Sequence, residues 1–468
     1  MLKNLSLDFE AGSYTQVCGP TGAGKSTLAL ALIGVIETAT SAQLQGEVRI
    51  DGADVALLPP VERSRKVAAV WQRPDVQLFR STVLDEVRSG LDYRLISEEE
   101  ATSRSRETLA LVGLDDIPED RDPMSLSGGE QQRLALAAAL VLDTPVLVLD
   151  EATSALDLEA AERFGEALDR ARAARPVTVI AIDHRPDAHF ERADRLLVLE
   201  DGEVVLDGDP SRVYTDDLTE VERLGMRLPT KLGGDASFVG TLSGTLANEG
   251  TPTALRADSL CYSVEETRLL DEVCLELPLG SVALITGDNG AGKSTLMRLL
   301  ATEMKPGKGR VLPRPRTRIR QGIGYVPQRG AEIMLHTRTV DEVCSALTQG
   351  RSNTDEAVTR RALELLDQAG LGGMEEMHPL RLSGGQRQRL AVLLALAEGI
   401  GGARKLALLD EPTSAQDVSG AALVLGLLTD GAESRVTLVA THDPAAFSSV
   451  ATHHVAMRAG RTVEVSNV

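Results

Sequence analysis

GPTGAGKST at residues 19–27 and GDNGAGKST at residues 287–295 decide the fold. Each fits G-x-x-x-x-G-K-S/T, the loop that cradles phosphates between a strand and a helix. The residue types follow from that task. Backbone N–H groups must converge on phosphate oxygens, so glycines stand at Gly19, Gly22 and Gly24 and again at Gly287, Gly290 and Gly292. The loop opens a helix, whose free N–H groups and dipole favour an anion. Lys25 and Lys293 can reach the outer phosphates of a nucleotide. In the closing pairs Ser26-Thr27 and Ser294-Thr295, the serine can offer its hydroxyl to Mg²⁺. The flanks agree: YTQVCG and SVALITG read as strands, LALALIGVI and LMRLLATEM as helices. A glycine-rich turn arising by chance explains one copy far better than two in the same setting.

A chain of 468 residues has room for two or three domains, and one long repeat points to two. Its apolar content of 43% suits globular cores. The net charge of −20 argues only weakly against a protein that coats nucleic acid, and ordinary cytoplasmic solubility is its better explanation. Cys18, Cys261, Cys274 and Cys344 lack paired metal spacing, which predicts reduced thiols in a cytosolic protein. The N-terminus has no basic-then-apolar leader, and LALAAALVL is cut by Asp143 and Pro145 before it reaches membrane-spanning length. Any membrane role therefore needs a partner.

In the first half, LSLDF alternates like a strand and leads into the strand before the loop. KVAAVWQ is a strand ending at Gln72, a position from which a glutamine can touch a metal or an attacking water; alone, it is an ordinary polar strand end. QRPDVQLF follows, then helices from Thr82 to Leu114. In LSGGEQQRLALAAALV, Ser127 is placed as a helix N-cap, and Gly128 and Gly129 leave N–H groups open to an anion. VLVLDE is an apolar run ending in two acids, the pattern of a strand buried on both faces with its acids at the ligand end. Asp150 would hold Mg²⁺ and Glu151 would polarise the attacking water. SALD follows, VTVIAIDH ends at His184, and LLVLEDGEVVLDG forms a hairpin on its Asp-Gly turn.

The order phosphate loop, Gln72, LSGGE, VLVLDE, SALD, His184 resembles the nucleotide-binding domain of ABC ATPases over nearly the whole half. The resemblance implies an α/β fold: two P-loop ABC-type domains in tandem, each a mostly parallel sheet with an antiparallel β subdomain and a helical signature subdomain. The expected domains are residues 1–228 and 254–468, joined by a Gly/Ser/Thr-rich linker at 229–253.

The second half repeats the order. Tyr262 in LCYSV resembles the family's adenine-stacking aromatic, although an exposed strand tyrosine is an equal reading. GYVPQ ends at Gln328, LSGGQRQRL supplies Ser383, Gly384 and Gly385, LALLDEP supplies Asp410 and Glu411, SAQD supplies Asp417, and VTLVATHD supplies His442. Both halves are expected to be competent for ATP and Mg²⁺. In the family, two domains meet head to tail around each ATP, so here the two halves would pair within one chain. One site would join Lys25, Ser26, Gln72, Asp150, Glu151 and His184 to Ser383–Gly385; the other would join Lys293, Ser294, Gln328, Asp410, Glu411 and His442 to Ser127–Gly129.

QRPDVQLF, with Gln77 after its Pro-Asp pair, resembles the coupling helix of energy-coupling-factor vitamin and metal-ion importers, and VERLGMRLP also looks like that group. This implies a cytoplasmic ATPase on the inner face of the membrane. Its partners would be a transmembrane coupling subunit and a substrate-binding membrane subunit, with no nucleic acid. The rival is a soluble tandem ATPase that acts on the ribosome, a family with a long charged insert that this linker lacks. Three departures stand out. RGAEIMLH follows Gln328, the first half starts at MLKNLSLDF without the upstream strand and aromatic that Tyr262 supplies in the second, and Glu130 ends the first signature where Gln386 ends the second.

Overall fold

The computed structural model describes residues 2–467 apart from 21, 40–41, 155, 157, 184–186, 225, 227, 233–252, 265–266, 289, 313–322, 328–332, 349–354, 398–405 and 415. The chain forms two compact units, Met1–Gly234 and Asp235–Val468. Residues 233–252 of the expected linker lie outside the described residues.

The first unit contains β1 (Tyr14–Cys18), the short pair β2 (Arg49–Ile50) and β3 (Ala53–Asp54), β4 (Val67–Trp71), β5 (Val146–Asp150), β6 (Thr178–Ile182), β7 (Arg195–Glu200) and β8 (Glu203–Gly208). Its main sheet runs β4-β5-β6-β1-β7-β8, parallel except for the β7–β8 hairpin. Strands β1, β5 and β6 are largely buried, and β5 and β6 are mostly apolar, because helices cover both faces of a parallel sheet. The hairpin turns at Asp201-Gly202, both at positive φ, the geometry that an Asp-Gly pair supplies. Helices Val83–Tyr93, Glu98–Leu111 and Gly128–Leu140 pack through Val87, Leu91, Leu109, Leu134 and Leu136 into one apolar cluster with the sheet. Thr82 and Ser97 cap the first two.

The second unit contains β9 (Thr253–Val264), β10 (Thr267–Pro278), β11 (Val282–Thr286), β12 (Lys308–Leu312), β13 (Ile323–Val326), β14 (Leu406–Asp410), β15 (Val436–Ala440), β16 (His453–Arg458) and β17 (Arg461–Asn467). Its main sheet, β13-β14-β15-β11-β16-β17, repeats the first; β10-β9-β12 forms the antiparallel subdomain.

One expectation needs correcting. LSLDF is not a strand. In the second unit β10 pairs with β9, but among the described residues of the first unit no strand stands in the place of β9. Leu5, Leu7 and Phe9 still pack against the sheet, so the alternation reports burial without a ladder.

Candidate functional site

Each phosphate loop joins a central strand to a helix: β1 to Lys25–Leu32, and β11 to Lys293–Leu300. Gly22 and Gly290 adopt φ +89° and +82° and face open space, so a side chain there would be strained and would fill the cradle. Gly19 and Gly287 pass so close to the neighbouring strand that a Cβ would lie 2.1 Å from the Leu199 carbonyl oxygen or 2.2 Å from that of Met457. Neither helix has a side-chain cap, which leaves its first N–H groups for an anion. Lys25 folds over its own loop, donating from Nζ to the carbonyls of Gly19 at 2.7 Å and Pro20 at 3.0 Å. Lys293 does the same with Gly287 at 2.6 Å and Asp288 at 3.0 Å. Ser26 and Ser294 are exposed at the helix starts, with Thr27 and Thr295 half-buried behind them.

The acid pairs end β5 and β14, the strands one removed from β1 and β11. Burial pushes the Asp150 carboxyl up to about 7, with the Glu151 charge adding; Lys25 and a hydrogen bond from Ser26 oppose the shift. Burial raises Asp410 too, against Ser294 and Lys293. Glu151 and Glu411 both sit at left-handed φ, +50° and +52°, a costly conformation for a side-chain-bearing residue. Their N–H groups donate across the sheet to Ile182 at 2.7 Å and Ala440 at 2.9 Å. His442 brings Nε2 to 3.5 Å from Glu411 Oε1. His184 and Gln328 lie outside the described residues, as does Asp157. Asp417 caps Val418–Thr429, its carboxylate accepting from Gly420 N–H at 2.6 Å.

Gln72 donates from Nε2 to Ser154 Oγ at 3.2 Å, which links the end of β4 to the turn after Glu151. Ser127 and Ser383 are N-caps, each completing a capping box with Glu130 or Gln386. The two boxes differ. Glu130 accepts both the Ser127 N–H and its hydroxyl, each at 2.8 Å, whereas Gln386 accepts the Ser383 N–H at 2.9 Å. Tyr262 is half-buried on β9 and packs against the core of its subdomain.

Two residues escaped sequence reasoning. Gln132 donates to the Trp71 carbonyl at 2.9 Å, and Gln388 donates to the Glu411 carbonyl at 3.2 Å. Each ties the helix after a capping serine to the end of a sheet strand. The signal was a glutamine five residues after the capping serine in both halves, on an otherwise apolar helix face.

The fit of Mg²⁺ can be tested on these donors. Asp150 is half-buried, with Oδ1 enclosed and lacking a hydrogen-bond partner, and burial penalises its charged form, a penalty that a bound cation would relieve. An aspartate and a serine hydroxyl are hard oxygen donors of the kind Mg²⁺ accepts alongside substrate phosphates. Asp150 with Ser26, and Asp410 with Ser294, would hold Mg²⁺, which supplies charge neutralisation at the transferring phosphoryl group.

The fold and the loop–acid geometry define a P-loop nucleotide hydrolase, built twice. A family model described as ABC transporter matches residues 2–154 and again 270–414. The chain belongs to that family as a tandem pair of ABC ATPase domains, and it is an ATP hydrolase. A Methanosarcina mazei protein named "Putative ABC transporter ATP-binding protein" is 31% identical, over 99% of this chain and 91% of its own length. A Bacillus subtilis protein named "Putative HMP/thiamine import ATP-binding protein YkoD" is 29% identical, over 96% of this chain and 85% of its own. A solved structure described as "Model of ribosome-bound archaeal Pelota and ABCE1" shares the fold at TM-score 0.66 and 21% identity, covering 98% of this chain and 76% of its own. No described helix is long and apolar enough to cross a membrane.

Proposed function

We propose that this chain is the ATP-hydrolysing subunit of a membrane importer of the energy-coupling-factor type, taking up a vitamin or a metal ion. It would lie on the cytoplasmic face of the membrane, bound to a transmembrane coupling subunit and, through it, to a substrate-binding subunit. The two halves would pair to complete both ATP sites, as the family resemblance implies.

The observation that carries this reading is the short helix Pro74–Gln77 and what holds it. Gln77 clamps it to β4, accepting from Trp71 N–H at 3.2 Å and donating to the Ala69 carbonyl at 3.1 Å. The buried Glu86 holds the far end, accepting from the N–H groups of Phe79 at 2.8 Å and Arg80 at 2.7 Å. Between the clamps Val76 and Phe79 are 65% and 63% exposed. An apolar knob four to seven residues past Gln72 is a surface on which a partner helix could feel the nucleotide. The import named for the Bacillus subtilis relative supports the same reading.

Co-purification from gently lysed cells tests it. A polytopic membrane protein should accompany the tagged chain, and Val76→Asp with Phe79→Asp should release it while ATP binding survives. Recovery with ribosomes, in the wild-type chain and the variant alike, would replace the importer by the soluble ribosome-acting class.

A further inference from the structure

Aligning SYTQVCG with SVALITG and IAIDH with LVATH matches Tyr14 to Val282, Asp183 to Thr441 and His189 to Phe447. The first unit therefore carries a tyrosine, an aspartate and a histidine, all buried, where the second carries a valine, a threonine and a phenylalanine. Tyr14 and Asp183 are 0% exposed and His189 2%. Tyr14 Oη lies 2.6 Å from His189 Nδ1. Burial drives the Tyr14 phenol far above its ordinary pKa, so it keeps its proton and donates. His189 Nε2 then carries the ring hydrogen and faces Asp183 Oδ2 at 3.2 Å. The same oxygen accepts the Thr153 hydroxyl at 2.7 Å. Asp183 is tied to the strand that feeds the phosphate loop: its N–H donates to Val17 at 3.2 Å, and the Cys18 thiol donates to its carbonyl at 3.1 Å.

Thr153 stands two residues past Glu151, whose left-handed backbone persists only where its surroundings impose it. The second unit is built differently here: Pro412 follows Glu411 where the first unit has Ala152. Thr441 directs its Oγ1 to its own loop, accepting from Asp443 N–H at 3.0 Å, and Phe447 fills the place of the imidazole, fully buried.

We infer that His189 is a positioning residue for the first ATP site, acting through Asp183 and Thr153 to hold the segment that carries Glu151, and that the second site works without such a device. The inference rests on the reading of Glu151 as the residue that polarises the attacking water.

The test uses the full-length chain with His189→Phe, which installs the second unit's residue, and His189→Gln, which retains an N–H for Asp183. Turnover is measured in the wild-type background and with Glu411→Gln. His189→Phe should lower kcat roughly 10-fold in at least one background, with the KM for ATP within about two-fold. Amide exchange should quicken in residues 151–156 but not in 411–416 or in the helix 25–32. His189→Gln should restore both readouts. If His189→Phe does not fold, Asp183→Thr with His189→Phe removes the buried charge together with its partner and should show the same kcat loss. Unchanged turnover in both backgrounds, loosening spread through the whole first unit, or failure of the glutamine rescue would overturn the inference. Full activity in Glu151→Gln would instead remove the reading beneath it, so the two failures are told apart.

Discussion

His442 and Glu411 face each other across the end of the second sheet, Nε2 to Oε1 at 3.5 Å. They come from neighbouring parallel strands, β15 and β14, so the register that pairs Asp410 with Ala440 also sets this contact. An imidazole so placed can orient the carboxylate and sense what lies beyond it.

Glu151→Gln combined with Glu411→Gln should therefore retain ATP binding and lose turnover, by roughly 100-fold or more. A nucleotide-binding titration beside a phosphate-release assay checks both halves of the statement. Undiminished hydrolysis would refute the base assignment in both units.

Gln388→Ala should lower turnover with a smaller effect on ATP affinity. The Glu411 carbonyl loses a donor in a segment already held at φ +52°. The lost hydrogen bond is worth about 1 kcal/mol, which predicts roughly a five-fold effect on kcat. Gln388→Glu, which sets a buried carboxylate against that carbonyl, should lower turnover at least as much as the alanine variant.

Trp71 is the sole tryptophan and ends β4 next to Gln72. Its carbonyl accepts from Gln132, and its N–H donates to Gln77. Its fluorescence should change on addition of Mg-ATP. A flat signal at saturating nucleotide would count against Gln72 as a nucleotide-responsive residue.

The Asp150 carboxyl, raised by burial from 3.8 to about 7, costs the folded chain stability when it ionises. The folded state holds the proton more tightly than the unfolded state, so the contribution present below pH 3.8 is lost as pH rises towards 7. Asp150→Asn should stabilise the nucleotide-free chain above pH 7, by on the order of 2 to 4 kcal/mol, with the gain shrinking towards pH 5. Melting curves of both chains across that range measure it. An equal difference at all pH values would exclude the ionisation as its source.

Much was legible in the chain itself. The phosphate loops, the acid pairs that end β5 and β14, and the capping serines Ser127 and Ser383 are local patterns. A loop that binds an anion, a strand buried on both faces and a capped helix each impose their residue types within a few positions. Repetition of the order in both halves fixed the tandem class. Other features depended on which distant elements meet. The left-handed backbone of Glu151 and Glu411 goes with hydrogen bonds across the sheet to Ile182 and Ala440. The reach of Gln132 and Gln388 to strand ends follows from helix packing. LSLDF alternated like a strand, but a strand also needs a neighbour for its backbone groups, and none is described there. His189 belongs to no motif in the sequence, and folding sets it between Tyr14 and Asp183, 175 positions from one and 6 from the other. Sequence determined the chemistry that each segment can perform; tertiary structure decided which segments act on one another, because a hydrogen bond depends on distance in space and not on separation along the chain.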